Sequence, residues 1–466
     1  MIALAMSSRA VDILLVGAIG LALLAPLVAR AIRRRLDPFE PIVVFALAYG
    51  VMFVVRPAAM LVEGSLVHEG PRRALDVSGE FTEMLVLALL GALAFGVGYL
   101  LPLGARLASL HRPSRPDPSD GRLLVASLLV GLVGVIAYLF VLSSSGFTHT
   151  IRTILRAGNT EVLEAGSASI YASFVFLLTV PASLVILMVG LKRRSAALII
   201  TSLGFAALIV VLSLPVGNRI ALLPLLGGFF SLYYLRRLAR PSLAAILVVA
   251  LVAVVASAFL SDLRGRATRD ESVLETVERT TSPSRLVDSV TTGPDTEMAA
   301  VLAAALSVIP ERLSHTYGST IFGDLVIRPI PRSLWKEKPS IPRTELTATI
   351  WPVESERGTV KPEYSALLYF YWDLALIGVI IGMAAYGLLA RYLYEFLSLN
   401  RERQYAQVFY SLALWFVVIG VRDGPVDTFV RACFVLAPLW GIYFLARLPL
   451  GARSERSVSA GQGVAS

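Results

Sequence analysis

Long apolar runs alternate with short polar clusters along most of the chain, and many of the clusters are basic. A helix needs about 20 apolar residues to cross the hydrocarbon core of a bilayer. By that measure we place about eleven spans, approximately at 11–31, 41–61, 82–103, 123–142, 169–191, 196–214, 220–236, 242–260, 364–388, 405–421 and 428–447. Only Pro215, Val216, Gly217, Asn218 and Arg219 join the sixth to the seventh, so that turn is tight. The seventh is short and glycine-rich. The first, Val11 to Ala31, is preceded by the single charge of Arg9 and followed by no clear cleavage site, and it reads as a retained helix, not a signal peptide.

The rhythm breaks once, over the polar segment Ser261 to Glu363. The chain therefore divides into a transmembrane bundle (1–260, spans one to eight), a large loop of mixed short helices (261–363), three further spans (364–448) and a small polar tail (449–466) expected to be disordered. Inside the loop, Asp270 to Arg279 suits a short charged helix. Met298 to Ile309 is apolar but too short to span, which suits a re-entrant or interfacial element ended by Pro310.

Composition agrees with an all-α polytopic membrane protein. Hydrophobic residues make up 56% of the 466 and charged residues 16%, with a mean hydropathy of +0.72, whereas a soluble domain carries about 25% charged residues. The net charge of +9 does not point to nucleic acid, because the charges punctuate span ends instead of forming one face or tail. Cys433 is the one cysteine, so an internal disulfide and a thiolate metal cage are both excluded. The four histidines, His68, His111, His149 and His315, lack metal-ligand spacing, and we expect neither a metal nor a cofactor. No Gly-rich phosphate loop is present.

Where the basic residues fall sets an orientation. Arg30, Arg33, Arg34 and Arg35; Arg106, Arg112, Arg115 and Arg122; Lys192, Arg193 and Arg194; Arg236, Arg237 and Arg240; Arg391, Arg401 and Arg403; and Arg447, Arg453 and Arg456 all occupy alternate connections. Lys and Arg accumulate in short cytoplasmic connections, which places the N-terminus outside and the C-terminus in the cytoplasm. The large loop then lies outside, and its 13 Lys/Arg against 15 Asp/Glu do not disturb the assignment, because long segments escape the charge rule. None of the short cytoplasmic connections could house a nucleotide-binding domain.

Candidate chemistry gathers in the outer loop. From Glu311 to Pro342, Arg328, Arg332, Lys336 and Lys338, with Arg343 next, crowd around Trp335 and four prolines. Guanidinium forks suit phosphate, and a flat indole suits a sugar ring; the competing reading is a basic loop near anionic lipid. Elsewhere on the outer side, Arg152 and Arg156 lie one helical turn apart, Arg219 sits in the tight turn, and Arg422 and Asp423 close the tenth span. Arg431 lies inside the eleventh span, where an ionisable group marks a function or a partner; snorkelling beside Asp427 is its alternative. Such arginines could hold a lipid-linked diphosphate and stabilise its charge as it leaves. A base for an acceptor hydroxyl could be His315, Glu363 or Asp423. Equally, these three could be a surface histidine, a helix-start glutamate and half of an ion pair.

Several of these residues resemble a known family. Ile330-Pro331-Arg332-Ser333-Leu334-Trp335 followed by Lys338-Pro339 resembles the outer-loop pattern of bacterial O-antigen and oligosaccharide repeat-unit polymerases of the Wzy type. Gly217-Asn218-Arg219 is similar to a turn in those polymerases and the related O-antigen ligases, and Tyr364 to Leu389 resembles the helix after their large loop. The resemblance implies polymerisation of undecaprenyl-diphosphate-linked oligosaccharides on the periplasmic face of the inner membrane, within a bundle like that of GT-C-type membrane glycosyltransferases. It carries over Arg219 and Arg332 as diphosphate contacts, and more loosely Lys338, the pair Arg152/Arg156, and His315 as counterpart of a ligase histidine. Membrane lipid and a chain-length regulator protein are the other partners implied. A transporter of such lipids and a non-catalytic envelope scaffold remain the rival classes.

Overall fold

We describe residues 2–33, 36–64, 67–69, 74–111, 116–144, 175–216, 222–269, 273–291, 293, 296–327, 330, 335, 337, 339, 342–356 and 362–448 of a computed structural model. Helices dominate. Among the described residues seven are long and apolar enough to cross a membrane. They are α1 (Ile2–Ile32), α2 (Pro41–Glu63), α3 (Phe81–Leu100) and, after the short α4 (Leu103–Leu110), α5 (Asp120–Ser144) and α6 (Phe176–Arg193). The last two are α14 and α15, below. Between them come α7 (Ala196–Val216), α8 (Gly228–Arg237), α9 (Leu243–Arg269), α10 (Val273–Thr281), α11 (Pro283–Thr291), α12 (Met298–Leu306) and α13 (Pro342–Ile350). A two-stranded hairpin, β1 (Val67–Glu69) paired antiparallel with β2 (Ala74–Asp76), departs from the all-helical expectation.

The outward faces of the long helices carry Leu14, Leu21, Leu129, Phe140 and Ile377, all exposed. Large apolar side chains in that position, over lengths sufficient to span, fit lipid as the surrounding solvent. Together the elements make a polytopic helical membrane protein.

Two helices are not single rods. In α15 (Gln404–Leu445) the rings of Tyr405 and Tyr443 lie 5.0 Å apart, although a straight helix would separate them by about 57 Å at ~1.5 Å per residue. The reversal is at Gly424, whose φ of 75° and ψ of 175° leave the helical region just before Pro425. The expected spans 405–421 and 428–447 are therefore the two antiparallel limbs of this hairpin. In α14 (Ala366–Leu399) the reversal is at Leu374 and Ala375. A Cβ on Gly382 would meet the Phe370 ring at 2.4 Å, whereas a straight helix would hold those residues about 18 Å apart. Only 376–399 runs as the long limb. The limb 366–373 dips inwards and returns: Leu367 packs at Gly91, while the Tyr371 hydroxyl lies 3.5 Å from Glu83, a residue near the start of α3. The expected simple span 364–388 is thus corrected to a re-entrant limb plus a longer crossing.

The long limb of α14 runs parallel to α3 and α4, since Ala384 lies against Gly98 and Arg391 against Gly104. A Cβ at Gly98 would come within 1.9 Å of the Ala384 carbonyl. Small residues let these backbones touch, as they must where lipid gives no hydrophobic drive for association. α12, expected to be re-entrant or interfacial, is buried along its whole length against α3 and the π-helical turn Val51–Val55 in the middle of α2. The expected seventh span is short, a π-turn Leu223–Gly227 followed by α8.

The basic connections gather at one end of the bundle. Glu40 accepts from Arg30 at 3.1 Å and from Tyr99 at 2.8 Å, with Arg391 at 3.9 Å. Asp120 holds Lys192 at 2.7 Å and Arg193 at 3.2 Å, and Asp117 accepts from the Gln404 amide. Phe39 touches Tyr234, near the end of α8, and Arg447 donates to the Pro116 carbonyl.

Candidate functional site

At the opposite end, the re-entrant limb of α14 meets the reversal of α15 beneath the start of α13. Sequence explains the junction. Gly424 is the one residue type that takes its backbone angles without strain, and a Cβ there would meet the Tyr369 ring at 2.2 Å and the Tyr364 carbonyl at 3.0 Å. The re-entrant limb is capped by Ser365, whose hydroxyl accepts from the Leu368 amide. These features bring the segment before the limb against the α15 reversal.

Six charged side chains converge there. Arg343, the second residue of α13, donates to Glu363 at 3.0 Å, to Asp427 at 3.1 Å and to the Pro362 carbonyl at 2.5 Å. Its guanidinium also lies 5.3 Å from the centre of the Tyr364 ring, and Thr347 one turn on bonds the Tyr364 hydroxyl at 2.7 Å. Asp423 is wholly buried, paired with Arg422 at 2.9 Å and with Arg431. Burial raises the Glu363 carboxyl, but the guanidiniums of Arg343, Arg422 and Arg431 outweigh it and hold the group below the usual carboxylate range. Burial works against the charge on Arg343 too, and Glu363 and Asp427 overcome it. Three cations and three anions thus form one self-neutralised network.

The sequence-derived candidates divide among three places. Glu363, Asp423 and Arg422 come together in this network. His315 does not join them. Its Nδ1 lies 3.3 Å from the Trp372 carbonyl and its ring packs edge-on to Tyr371, at the far end of the re-entrant limb, about 12 Å of helix from Glu363. Beside it Asp373 accepts from the Thr316 hydroxyl and, at 3.1 Å, from the Thr320 amide. Trp335 is exposed and belongs to no helix or strand. Arg152, Arg156, Arg219, Arg328, Arg332 and Lys338 lie outside the described residues.

Arg343 and Asp427 are the functional candidates that sequence reasoning underweighted. Arg343 reads as one more cation in a basic stretch; its position at a helix start just after Pro342 was the available signal. Asp427 reads as the partner of Arg431, yet Arg431 pairs with Asp423 and Asp427 with Arg343. Among the described residues no group of three or more His, Cys, Asp and Glu is arranged to hold a metal ion. Compared with known protein families, curated proteins and solved structures, the chain matches none.

Proposed function

We propose that this chain is a metal-independent glycosyltransferase of a bacterial inner membrane, joining undecaprenyl-diphosphate-linked oligosaccharide units on the periplasmic face, with the diphosphate as leaving group. The observation that carries this reading is the network of Arg343, Arg422 and Arg431 with Glu363, Asp423 and Asp427, set where two reversed helices meet. Fixed guanidiniums in a site shielded from water stabilise a departing diphosphate without needing a cation. The topology proposed with it is the eleven-crossing arrangement, N-terminus outside and C-terminus cytoplasmic, in a GT-C-like bundle. It agrees with the gathering of basic connections at the end opposite the network.

In this reading an incoming diphosphate competes with the carboxylates for the arginines. Glu363 is the member to be displaced from Arg343, because it lies on the connecting segment and keeps partial exposure, whereas Asp423 is sealed within the α15 reversal. The acceptor hydroxyl then attacks the anomeric carbon and the bond to the lipid diphosphate breaks, the diphosphate keeping the electron pair. The hydroxyl proton passes to Glu363. In the same proposal His315, at the other end of the limb, contacts the glycan. Arg219, Arg332, Arg328, Lys338 and the pair Arg152/Arg156 complete the proposed anion path, with Trp335 against the sugar.

A transporter would use helices unwound at mid-membrane. The breaks at Ala375 and Gly424 are instead reversals, each sending the chain back along itself. A ligase transferring the same glycan to another acceptor is the second reading, favoured by the loop histidine pinned to Trp372. The test is purified protein in lipid, free of nucleotide and divalent metal, given undecaprenyl-diphosphate-linked repeat units. A ladder of product lengths is expected. Arg343→Lys should slow it by about tenfold or more, equivalent to about 1.4 kcal/mol or more in the barrier, because a point charge cannot bridge two carboxylates as a planar fork does. No ladder with authentic substrate, and none on adding a second acceptor, would sink the proposal.

A further inference from the structure

The stretch from Tyr317 to Ile327 has a face that no element among the described residues covers. A π-helical turn, Ser319–Gly323, runs into the short helix Asp324–Ile327. Thr320 and Asp324 are buried beneath it, and Ile321 and Leu325 pack on the core. The opposite face presents Tyr317, Phe322 and Val326, which are 80%, 72% and 71% exposed. Phe322 and Val326, four residues apart, lie on one side of this element, and Tyr317 stands just before it. Water would be a poor neighbour for them.

The position of the element names its neighbour. The Tyr317 amide donates to the Asp373 carbonyl at 2.9 Å, and the Thr316 amide to the Trp372 carbonyl at 3.1 Å. The element is therefore tied to the turn where α14 reverses. Directly after that turn the long limb begins its outward apolar face with Leu376, Ile377, Ile380 and Ile381, Ile377 being 65% exposed. Ile377 is four residues from Asp373, just past the reversal at Leu374 and Ala375. The short helix also packs against α15, whose second limb exposes Phe429. The element thus adjoins two spanning limbs that carry exposed apolar side chains. Tyrosine at its edge, with an apolar ring and a polar tip, suits the bilayer interface.

We infer that the segment 317–327 is an interfacial anchor whose Tyr317, Phe322 and Val326 are seated in the bilayer leaflet at that end of the bundle. By holding this segment the leaflet also fixes the loop carrying His315 and the Asp373 turn. This inference stands on the membrane reading alone and is independent of the glycosyl-transfer proposal.

Because Cys433 is the single cysteine, Cys433→Ser gives a clean background for site-directed spin labelling. Labels would be placed through Phe322→Cys and Val326→Cys, with Ile377→Cys as the lipid-facing standard and Glu311→Cys, an exposed polar site, as the aqueous standard. In phosphatidylglycerol/phosphatidylethanolamine vesicles, the ratio of oxygen to nickel-chelate accessibility at 322 and 326 should rise to that at 377. A ratio like that at 311 would overturn the anchor. So would shielding from both reagents, which would mean that protein covers the face. Unfolding of a labelled variant is detected separately, by comparing its melting temperature and monodisperse elution in detergent with those of the Cys433→Ser background.

Discussion

Arg343 divides one guanidinium between Glu363 and Asp427, and this sharing makes Glu363 sensitive to pH. The carboxyl is held below its ordinary range by the guanidiniums against the effect of burial. A group depressed on folding contributes stability that is present above its unfolded value, about 4.3 for glutamate, and lost as pH falls through the folded value. Wild-type protein in detergent should therefore lose melting temperature more steeply than Glu363→Gln between about pH 5 and pH 3. Parallel curves would mean that Glu363 is not held by Arg343 in the folded protein. The same substitution separates binding from turnover. With a neutral amide opposing it, Arg343 should bind an undecaprenyl diphosphate more tightly, while turnover falls for want of a base. Glu363 and Asp423 were legible as candidates because carboxylates at the outer ends of spans are few. Their partners were not. Arg343 is 20 residues from Glu363 and 84 from Asp427 in sequence, and composition carries no information about pairs that distant.

At the level of elements, hydropathy locates the apolar segments well and their bends poorly. Spans 41–61, 82–103 and 123–142 match α2, α3 and α5 closely, because each is one continuous helix that does not reverse, α2 widening only at its π-turn. The limb 366–373 runs without a charged or proline break from Ala366 to Trp372 straight into the apolar crossing it precedes, so a span-length window takes in both; the reversal depends on Phe370 fitting over Gly378 and Gly382. Gly424-Pro425 was the more readable break, since both residues end helices. These glycines make a direct test. Gly98→Val would drive a side chain into the Ala384 carbonyl, and Gly424→Ala adds ~1–2 kcal/mol of backbone strain to a clash with Tyr369. Both should lower the melting temperature and folded yield in detergent. Gly17→Val, where an added Cβ meets nothing within 4 Å, should leave both unchanged. Equal behaviour of all three would contradict the close α3–α14 contact and the α15 reversal.

For the whole molecule, the strongest link between sequence and structure is the division of charge between its two ends. Six connections far apart in sequence are basic, and the carboxylates Glu40, Asp117 and Asp120 draw several of them together at one end. At the other end the three arginines of the network are matched by its three acids. Excess positive charge resists translocation, whereas a neutralised network adds nothing to that bias. The basic end should therefore face the cytoplasm and the network the periplasm. On a Cys433→Ser background, a membrane-impermeant maleimide added to spheroplasts should label Glu311→Cys directly, and Ser109→Cys, an exposed residue of the basic end, only after permeabilisation. The reverse pattern would place the arginine network in the cytoplasm, where it could not meet glycans assembled on the outer face. The proposed reaction would then fail on topology alone, whatever the chemistry of its residues.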